Sequence, residues 1–376
     1  MDDGVIKVCQ PTIDQQTRDD LNHVFDTGWL GQGPKTREFE EKFASYVGAK
    51  YAVATNSGTA ALDLCLKAYD IKGGELITTP LTFVSDAIVG EWQGMDVTFG
   101  DIDEESLCLD PKSLHLSENT KAIIAVDSHG RLADVEGIKD EIEKFNITSG
   151  IVNEAIKPLV IEDAAHACFT PGVGQHADIT MWSFQAVKTL PTADGGAITT
   201  NDEAIWRKIK TLTWLGVEKP TYDRAMGRKY TWDYDIKGLG IKGYMNDVQS
   251  TIALGQLRRL DEMSAKRRAI QTVYNDSFKD IKEITPPAFS YTVQYYTMKC
   301  EDRDKLSEHL AENKIATSVH LKPLYLMTYW AKGKKRELPV TDKVWVKLLS
   351  LPCHDALTWK QVEYVVKKVR EFYGHY

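Results

Sequence analysis

The sequence is poor in three features that would each indicate a particular class of protein. No apolar run approaches the length that spans a bilayer, and residues 1–20 contain no apolar signal-like stretch. The six cysteines and nine histidines show no metal or redox spacing, so we expect buried free thiols and no metal. Acidic residues outnumber basic ones by 54 to 46, which argues against nucleic-acid binding. These absences predict a cytoplasmic protein without a membrane or nucleic-acid partner.

The chain is long enough to bury a sizeable core. It has 376 residues, of which 43% are hydrophobic and 27% are charged, as is ordinary for globular proteins. This length predicts two domains, or one large domain with a smaller one appended.

Short apolar runs alternate with helical patterns through the first half of the chain. The residues Leu62, Cys65, Leu66 and Tyr69, for example, fall on one face of a helix. Strand–helix alternation predicts an α/β domain with a mostly parallel sheet, whose ligands bind beyond the carboxyl ends of the strands. The predicted strands are Tyr51–Asn56, Glu75–Pro80, Asp96–Ile102, Ala122–Asp127, Pro158–Asp163, Ile179–Phe184 and Gly195–Thr200.

The pattern changes after about residue 245. A long helix is predicted from Asp247 into Arg258–Arg268, followed by a strand-like piece, Tyr291–Cys300, and helices near Lys305–Asn313 and Trp359–Tyr373. This half is typical of a smaller α+β domain.

The first predicted strand runs into small polar residues that could hold a phosphate. Ser57, Gly58 and Thr59 open a helix, where free N–H groups and two hydroxyls suit an anion. A simple helix cap made by Ser57 is the alternative.

Two other strands lead into an acid and an amine. Asp163 ends one strand, where it could meet a cationic atom of a ligand or simply cap a turn. Lys188 follows another strand among small and apolar residues, which can disfavour its charge and make it nucleophilic. A solvated surface amine is the alternative for any single lysine.

Together the three motifs predict a cofactor site at one edge of the sheet. Pyridoxal phosphate needs an anion cradle, an anion near its ring nitrogen, and an amine for its aldehyde. We therefore interpret Lys188 as the residue that carries pyridoxal 5'-phosphate as a Schiff base.

Along nearly its whole length the chain resembles the DegT-like (DegT/DnrJ/StrS) sugar aminotransferases, which are fold-type I pyridoxal-phosphate enzymes. The resemblance implies a large α/β domain over 12–245 with a mixed, mostly parallel seven-stranded sheet. It also implies a smaller α+β C-terminal domain over 246–376, with which residues 1–11 could pack. The segments that carry it are Gly28–Pro34, Ala54–Leu62, Pro80–Val84, Glu162–Ala167, Ser183–Lys188, Asp194–Thr200, Tyr244–Leu257 and Leu349–Pro352.

The resemblance further implies a role for each cofactor-binding residue. Asp163 would pair with the ring nitrogen, Phe83 would stack on the ring, and His166 would lie near its other face or its hydroxyl. Asn246 would reach the phosphate of a neighbouring subunit, which makes the protein a homodimer with shared active sites. Asn246 and Gln249 also fit a capping box, and both roles could hold. The phosphate contacts within one subunit would come from Ser57, Gly58, Thr59 and Ser183.

Four residues are candidates for substrate binding. Lys219, Arg224 and Arg228 belong to the segment Trp214–Ile236, which lies near the substrate in relatives, and His320 matches a segment near the sugar. An ordinary charged loop, or a structural histidine, is the alternative for each.

The reaction implied by the resemblance is amination of a sugar. L-Glutamate would donate an amino group to a 3-keto or 4-keto deoxyhexose linked to a nucleotide, and Lys188 would move the Cα proton as base and then acid. Relatives that deoxygenate sugars have His at the Lys188 position, so Lys favours amination. Cyclitol amination, sugar dehydration and a catalytically silent binding protein are the alternatives.

Overall fold

The larger sheet of the protein carries the predicted α/β architecture. A computed structural model describes residues 4–149, 156–168, 170–218, 221–225, 234–331 and 337–375. In these ranges seven strands form one sheet in the order β1-β7-β6-β5-β4-β2-β3. Strand β7 is antiparallel to both its neighbours, and the remaining pairs are parallel, so the predicted mixed, mostly parallel sheet is confirmed. The strands are β1 Tyr51–Thr55, β2 Glu75–Thr78, β3 Asp96–Phe99, β4 Thr120–Val126, β5 Leu159–Asp163, β6 Ile179–Ser183 and β7 Gly196–Thr200.

Helices cover both faces of this sheet. The α-helices of the described ranges are α1 Gln15–Thr27, α2 Pro34–Val47, α3 Gly58–Ala68, α4 Ser85–Trp92, α5 Val135–Thr148, α6 Glu203–Leu212, α7 Thr221–Ala225, α8 Asp247–Phe278, α9 Arg303–Glu312, α10 Pro339–Val344 and α11 Trp359–Phe372. Because side chains alternate along a strand, Ala122 and Ile124 pack with α3 and α6, whereas Ile123 and Ala125 pack with α5 on the other face. Helices α2 and α8 cover that second face near Trp182.

A second, smaller sheet has its own hydrophobic cluster. In the described ranges its strands are β8 Ile284–Thr285, β9 Tyr296–Cys300 and β10 Leu348–Leu351, in the order β10-β9-β8. Helices α9 and α11 pack on it, and so does Ile6 near the N-terminus.

Helix α8 belongs to both cores. Its first half, including Leu260, packs with the larger sheet, and its second half, including Tyr274, packs with the smaller one. The predicted domain boundary at 245/246 therefore coincides with the start of a shared helix, and the division into two domains stays a prediction.

Two helices near the predicted site, α3 and α8, begin with side-chain caps. Ser57 accepts the Ala60 N–H at 3.1 Å at the start of α3. Asn246 and Gln249 form a capping box at the start of α8. No helix in the described ranges is long and apolar enough to cross a bilayer.

Candidate active site

The carboxyl ends of β1, β5 and β6 meet at one edge of the sheet, because all three run antiparallel to β7 or parallel to a strand that does. Close backbone contact holds this edge together. A Cβ atom added to Gly196 would lie 2.7 Å from the carbonyl carbon and oxygen of Ser57, and one added to Gly58 would lie 3.0 Å from the Cβ of Ser183. The turn at residues 57–59 therefore lies directly against the end of β6.

This turn has the donors that an anion requires. The Ser57 hydroxyl caps α3, as the alternative interpretation of this residue predicted. The N–H groups of Gly58 and Thr59 begin the helix and have no helical acceptor. Together with the partly exposed hydroxyls of Thr59 and Ser183 they form a set of donors at the positive end of the helix dipole.

Lys188 lies on the loop after β6 and is partly buried. Burial of the amine lowers the pKa of Lys188 to about 8, although the negative charge of Asp163 favours its protonated form. A lysine with this pKa is partly neutral near neutral pH. An ordinary lysine, with a pKa of about 10.4, is almost fully charged there. The amine can therefore act as a nucleophile or a base.

Asp163 ends β5 and is buried. Its Oδ1 accepts the Ala165 N–H at 2.8 Å. Burial raises the pKa of Asp163, and three neighbours oppose this rise: the Ala165 N–H, the charge of Lys188 and a hydrogen bond with Asp86. The Asp163 carboxylate is therefore stabilised by a hydrogen-bond donor and by the positive charge of Lys188.

Phe83 lies on the segment that leads into α4, three residues before Asp86. The Thr82 hydroxyl donates to Asp86, and the Asp86 carboxyl contacts Asp163. The ring of Phe83 is 60% exposed, which is unusual for a phenylalanine and leaves it available for stacking.

Two partly buried histidines, His166 and His320, lie near enough to Lys188 for its charge to affect their pKa values. The Nδ1 atom of His166 accepts the His129 N–H at 3.3 Å. Burial, and then the charge of Lys188, lower the pKa of His166 well below its usual value. His320 stacks on Tyr295 with 3.7 Å between ring centroids, and burial lowers its pKa to about 4. Both predicted histidines are therefore uncharged at neutral pH.

The sequence patterns did not identify Asp86, His129 or Tyr295. Each comes from a segment remote in sequence from Lys188, and its burial follows from tertiary packing. One sequence feature could have indicated His129. It lies three residues after the end of β4, just as His166 lies three residues after the end of β5.

The other predicted residues in the described ranges, Arg224 and Asn246, make separate contacts. The Arg224 guanidinium lies 4.8 Å from the centroid of the Tyr234 ring, and Thr221, on the same short helix, lines a cavity of about 390 Å³ beside Trp29. Asn246 caps α8, where its Oδ1 accepts the Gln249 N–H at 2.9 Å. Lys219 and Arg228 lie outside the described residues.

Comparison with known proteins identifies the family. The model of the DegT/DnrJ/EryC1/StrS aminotransferase family matches residues 11–370. The chain belongs to this family.

Relatives of this DegT-family chain are similar over almost their full length. It is 33% identical to the spore coat polysaccharide biosynthesis protein SpsC of Bacillus subtilis, over 96% of this chain and 95% of the relative. It is 32% identical to the UDP-4-amino-4,6-dideoxy-N-acetyl-beta-L-altrosamine transaminase of Campylobacter jejuni, over 94% and 93%. Among solved structures, the putative sugar aminotransferase Spr1654 of Streptococcus pneumoniae matches with a TM-score of 0.89 and 26% identity, over 98% and 99%.

The predicted family, enzyme class and fold type are thereby confirmed: this DegT-family chain is a transaminase of fold type I. Spr1654 has been solved in PLP and PMP forms, and the family as a whole implies pyridoxal phosphate. The residues of this chain fit that group. The N–H and hydroxyl donors at residues 57–59 suit its phosphate, Asp163 suits a ring N–H, and the Lys188 amine suits an aldehyde.

Among the described residues, no group of three or more His, Cys, Asp or Glu side chains is arranged to hold a metal ion.

Proposed function

We propose that this chain transfers an amino group from L-glutamate to a keto sugar carried on a nucleotide, using pyridoxal 5'-phosphate. The observation that carries the proposal is the Lys188 amine, whose pKa is lowered to about 8 by burial beside Asp163, at the sheet edge where the 57–59 turn lies. The name of the Campylobacter jejuni relative supports a UDP-linked sugar as the amino acceptor. The name of the Bacillus subtilis relative supports a part in polysaccharide biosynthesis.

Each residue of the site has a proposed task. Ser57, Gly58, Thr59 and Ser183 hold the phosphate of the cofactor, and Asn246 of a second copy of this chain adds a contact to it. Asp163 binds the ring N–H as a carboxylate, Phe83 stacks on the ring, and His166 lies at its other face or beside its hydroxyl. When bound, the cofactor supplies an electron-accepting ring that carries the amino group between donor and acceptor.

Lys188 is the proposed base. In its neutral form Nζ would accept the proton from Cα of the amino donor, and as an ammonium group it would donate that proton to the cofactor carbon that takes up the amino group. The pKa of about 8 makes both forms available near neutral pH. His166 and His320, held neutral by burial, line the site without adding a positive charge that would lower the basicity of Lys188.

Binding of the acceptor is proposed to use His320, Arg224, Lys219 and Arg228. The planar guanidinium of Arg224 suits an anion such as a diphosphate.

The central test is the visible absorbance of the protein with added pyridoxal phosphate. Wild type should show the band of a pyridoxal Schiff base, and Lys188→Ala should not, because it lacks the amine. Lys367→Ala, which removes an exposed lysine of α11, is the matched control and should keep the band. A colourless wild type, or a Lys188→Ala protein that keeps the band, would overturn the proposal.

Two further measurements test the donor and the acceptor. Glutamate should shift the absorbance of the bound cofactor and release 2-oxoglutarate. The protein should then aminate one member of a panel of nucleotide-linked 3-keto and 4-keto hexoses, detected by mass. Amination of a cyclitol ketone alone, or loss of water from the sugar without nitrogen gain, would instead support the alternative reactions.

A further inference from the structure

Asp86 is buried beside the Asp163 carboxyl and has no role in the function proposed above. It lies in the first turn of α4 with none of its surface exposed. The Thr82 hydroxyl donates to its Oδ2, whereas Oδ1 has no hydrogen-bond partner among the N–H and O–H groups of the described residues. The Asp163 carboxyl lies within hydrogen-bonding reach of this side chain. Two carboxyl groups in contact, without another donor between them, need to share a proton.

The groups around Asp86 and Asp163 determine which of the two carboxyls is protonated. Asp163 accepts the Ala165 N–H at 2.8 Å and is favoured as an anion by the charge of Lys188. Burial, and then the negative charge of Asp163, raise the pKa of Asp86 well above its usual value. The proton therefore lies on Asp86, and Asp163 carries the negative charge. Lys188 is the cation that acts on both carboxyls. The charge of Asp163 also raises the pKa of Asp127, which directly follows the neighbouring strand β4.

We propose that Asp86 is a positioning residue, a neutral acid that donates a hydrogen bond to Asp163 and so holds it in the ionised, oriented form that a pyridine N–H requires. This inference rests on the proposed function, in which Asp163 binds the ring nitrogen. With Ala165 and Asp86 donating to it, Asp163 has two acceptor positions filled and retains others for the cofactor.

Two substitutions of Asp86 test whether it acts as a neutral hydrogen-bond donor or as a second negative charge. In Asp86→Asn the amide oxygen can accept from Thr82 while the NH₂ group donates to Asp163, as the protonated acid does. Asp86→Ala removes the donor. We expect pyridoxal phosphate to bind to the Asn variant within about threefold of wild type, and at least about tenfold more weakly to the Ala variant. Titration of the visible absorbance band gives both dissociation constants.

A second buried carboxyl pair supplies the matched control. Asp127 and Glu162 also contact each other, but they lie on the opposite face of the sheet from Asp163. Asp127→Asn should therefore leave the affinity for pyridoxal phosphate close to that of wild type. Equal weakening in Asp86→Asn and Asp86→Ala, or no weakening in either, would overturn the proposal.

A measurement on the apoprotein needs no cofactor and remains decisive if Asp86→Ala does not fold. A carboxyl with a raised folded-state pKa contributes stability that is complete below its unfolded pKa, about 4, and is lost as the pH rises toward the folded value. The free energy of unfolding of wild type should therefore fall relative to that of Asp86→Asn between about pH 4 and pH 7. A difference that does not vary with pH would overturn the inference.

The two proposals fail separately. A wild type that binds no pyridoxal phosphate contradicts the proposed function, and the pH dependence of apoprotein stability still reports on the proton of Asp86. A wild type that binds it normally, with Asp86→Ala unchanged, contradicts only the role of Asp86.

Discussion

At the scale of single residues, the chemistry of Lys188 depends on a balance between burial and charge. Burial favours the neutral amine, and the negative charge of the nearby Asp163 favours the ammonium form. The result is a pKa between that of a solvated lysine and that of a lysine buried without acids. This intermediate value lets one side chain act as both base and acid in the same reaction.

Competitive labelling of the apoprotein with acetic anhydride over a range of pH tests this balance. Labelling of Lys188 should reach its midpoint near pH 8, whereas an ordinary lysine reaches it only near about pH 10.4. Asp163→Asn should move the Lys188 midpoint to lower pH, because a charge that favours the ammonium form is removed. Peptide mass spectrometry measures each lysine separately, with Lys367 as the exposed reference. A Lys188 that is labelled together with ordinary lysines would contradict the prediction.

The sequence predicted the residues that follow directly from strand patterns. Asp163 and Lys188 could be found because an apolar strand leads into each of them. Asp127 has the same signal as Asp163, but its side chain lies on the opposite face of the sheet, where it pairs with Glu162. Asp86 could not be found, because its importance comes from contact with a side chain 77 positions away.

At the scale of elements, each of the seven predicted strands is present, with its ends displaced by a few residues. Their apolar composition made them predictable. Their order in the sheet, and the reversed direction of β7, were not derivable from local pattern, because both depend on pairing between distant segments. The same holds for α8, which continues beyond the predicted charged stretch to Phe278 because its second half packs on the smaller sheet.

The contact between β7 and the 57–59 turn makes a prediction about Gly196. A Cβ at this position would lie 2.7 Å from backbone atoms of Ser57 and Trp182, which cannot rotate away as a flexible side chain can. Gly196→Ala should lower the free energy of unfolding by about 1–3 kcal/mol, measured by urea denaturation. It should also weaken the binding of pyridoxal phosphate, because the turn is displaced.

Gly31→Ala is the control for this substitution, since a Cβ at Gly31 would meet nothing within 4 Å. Its stability and cofactor affinity should stay near those of wild type. A Gly196→Ala protein with unchanged affinity would show that the turn does not hold the phosphate.

At the scale of the whole molecule, the predicted homodimer can be tested through Asn246. Asp caps helices as well as Asn does, so Asn246→Asp should keep the stability of wild type within about 0.5 kcal/mol. Its new negative charge would face the phosphate of the neighbouring subunit and should weaken cofactor binding there. Thr358→Asp, which makes a similar change in the capping box of α11, should leave cofactor binding unchanged.

Mixing the Lys188→Ala and Asn246→Asp variants, at a cofactor concentration too low to load the Asn246→Asp sites, tests the shared site directly. Heterodimers of Lys188→Ala and Asn246→Asp subunits contain one site in which both residues are intact. Refolding the two variants together should therefore restore activity to about a quarter of the wild-type sites. No recovery, or a fully active monomer in sedimentation, would contradict the shared site.

Helix α8 has a thermodynamic consequence for the molecule. Its 32 residues contribute Leu260 and Met263 to one hydrophobic cluster, and Ile270 and Tyr274 to the other. Neither hydrophobic cluster can lose its part of α8 without unwinding a helix that also packs in the other cluster. The two sheets should therefore melt as a single cooperative unit, although each has its own core.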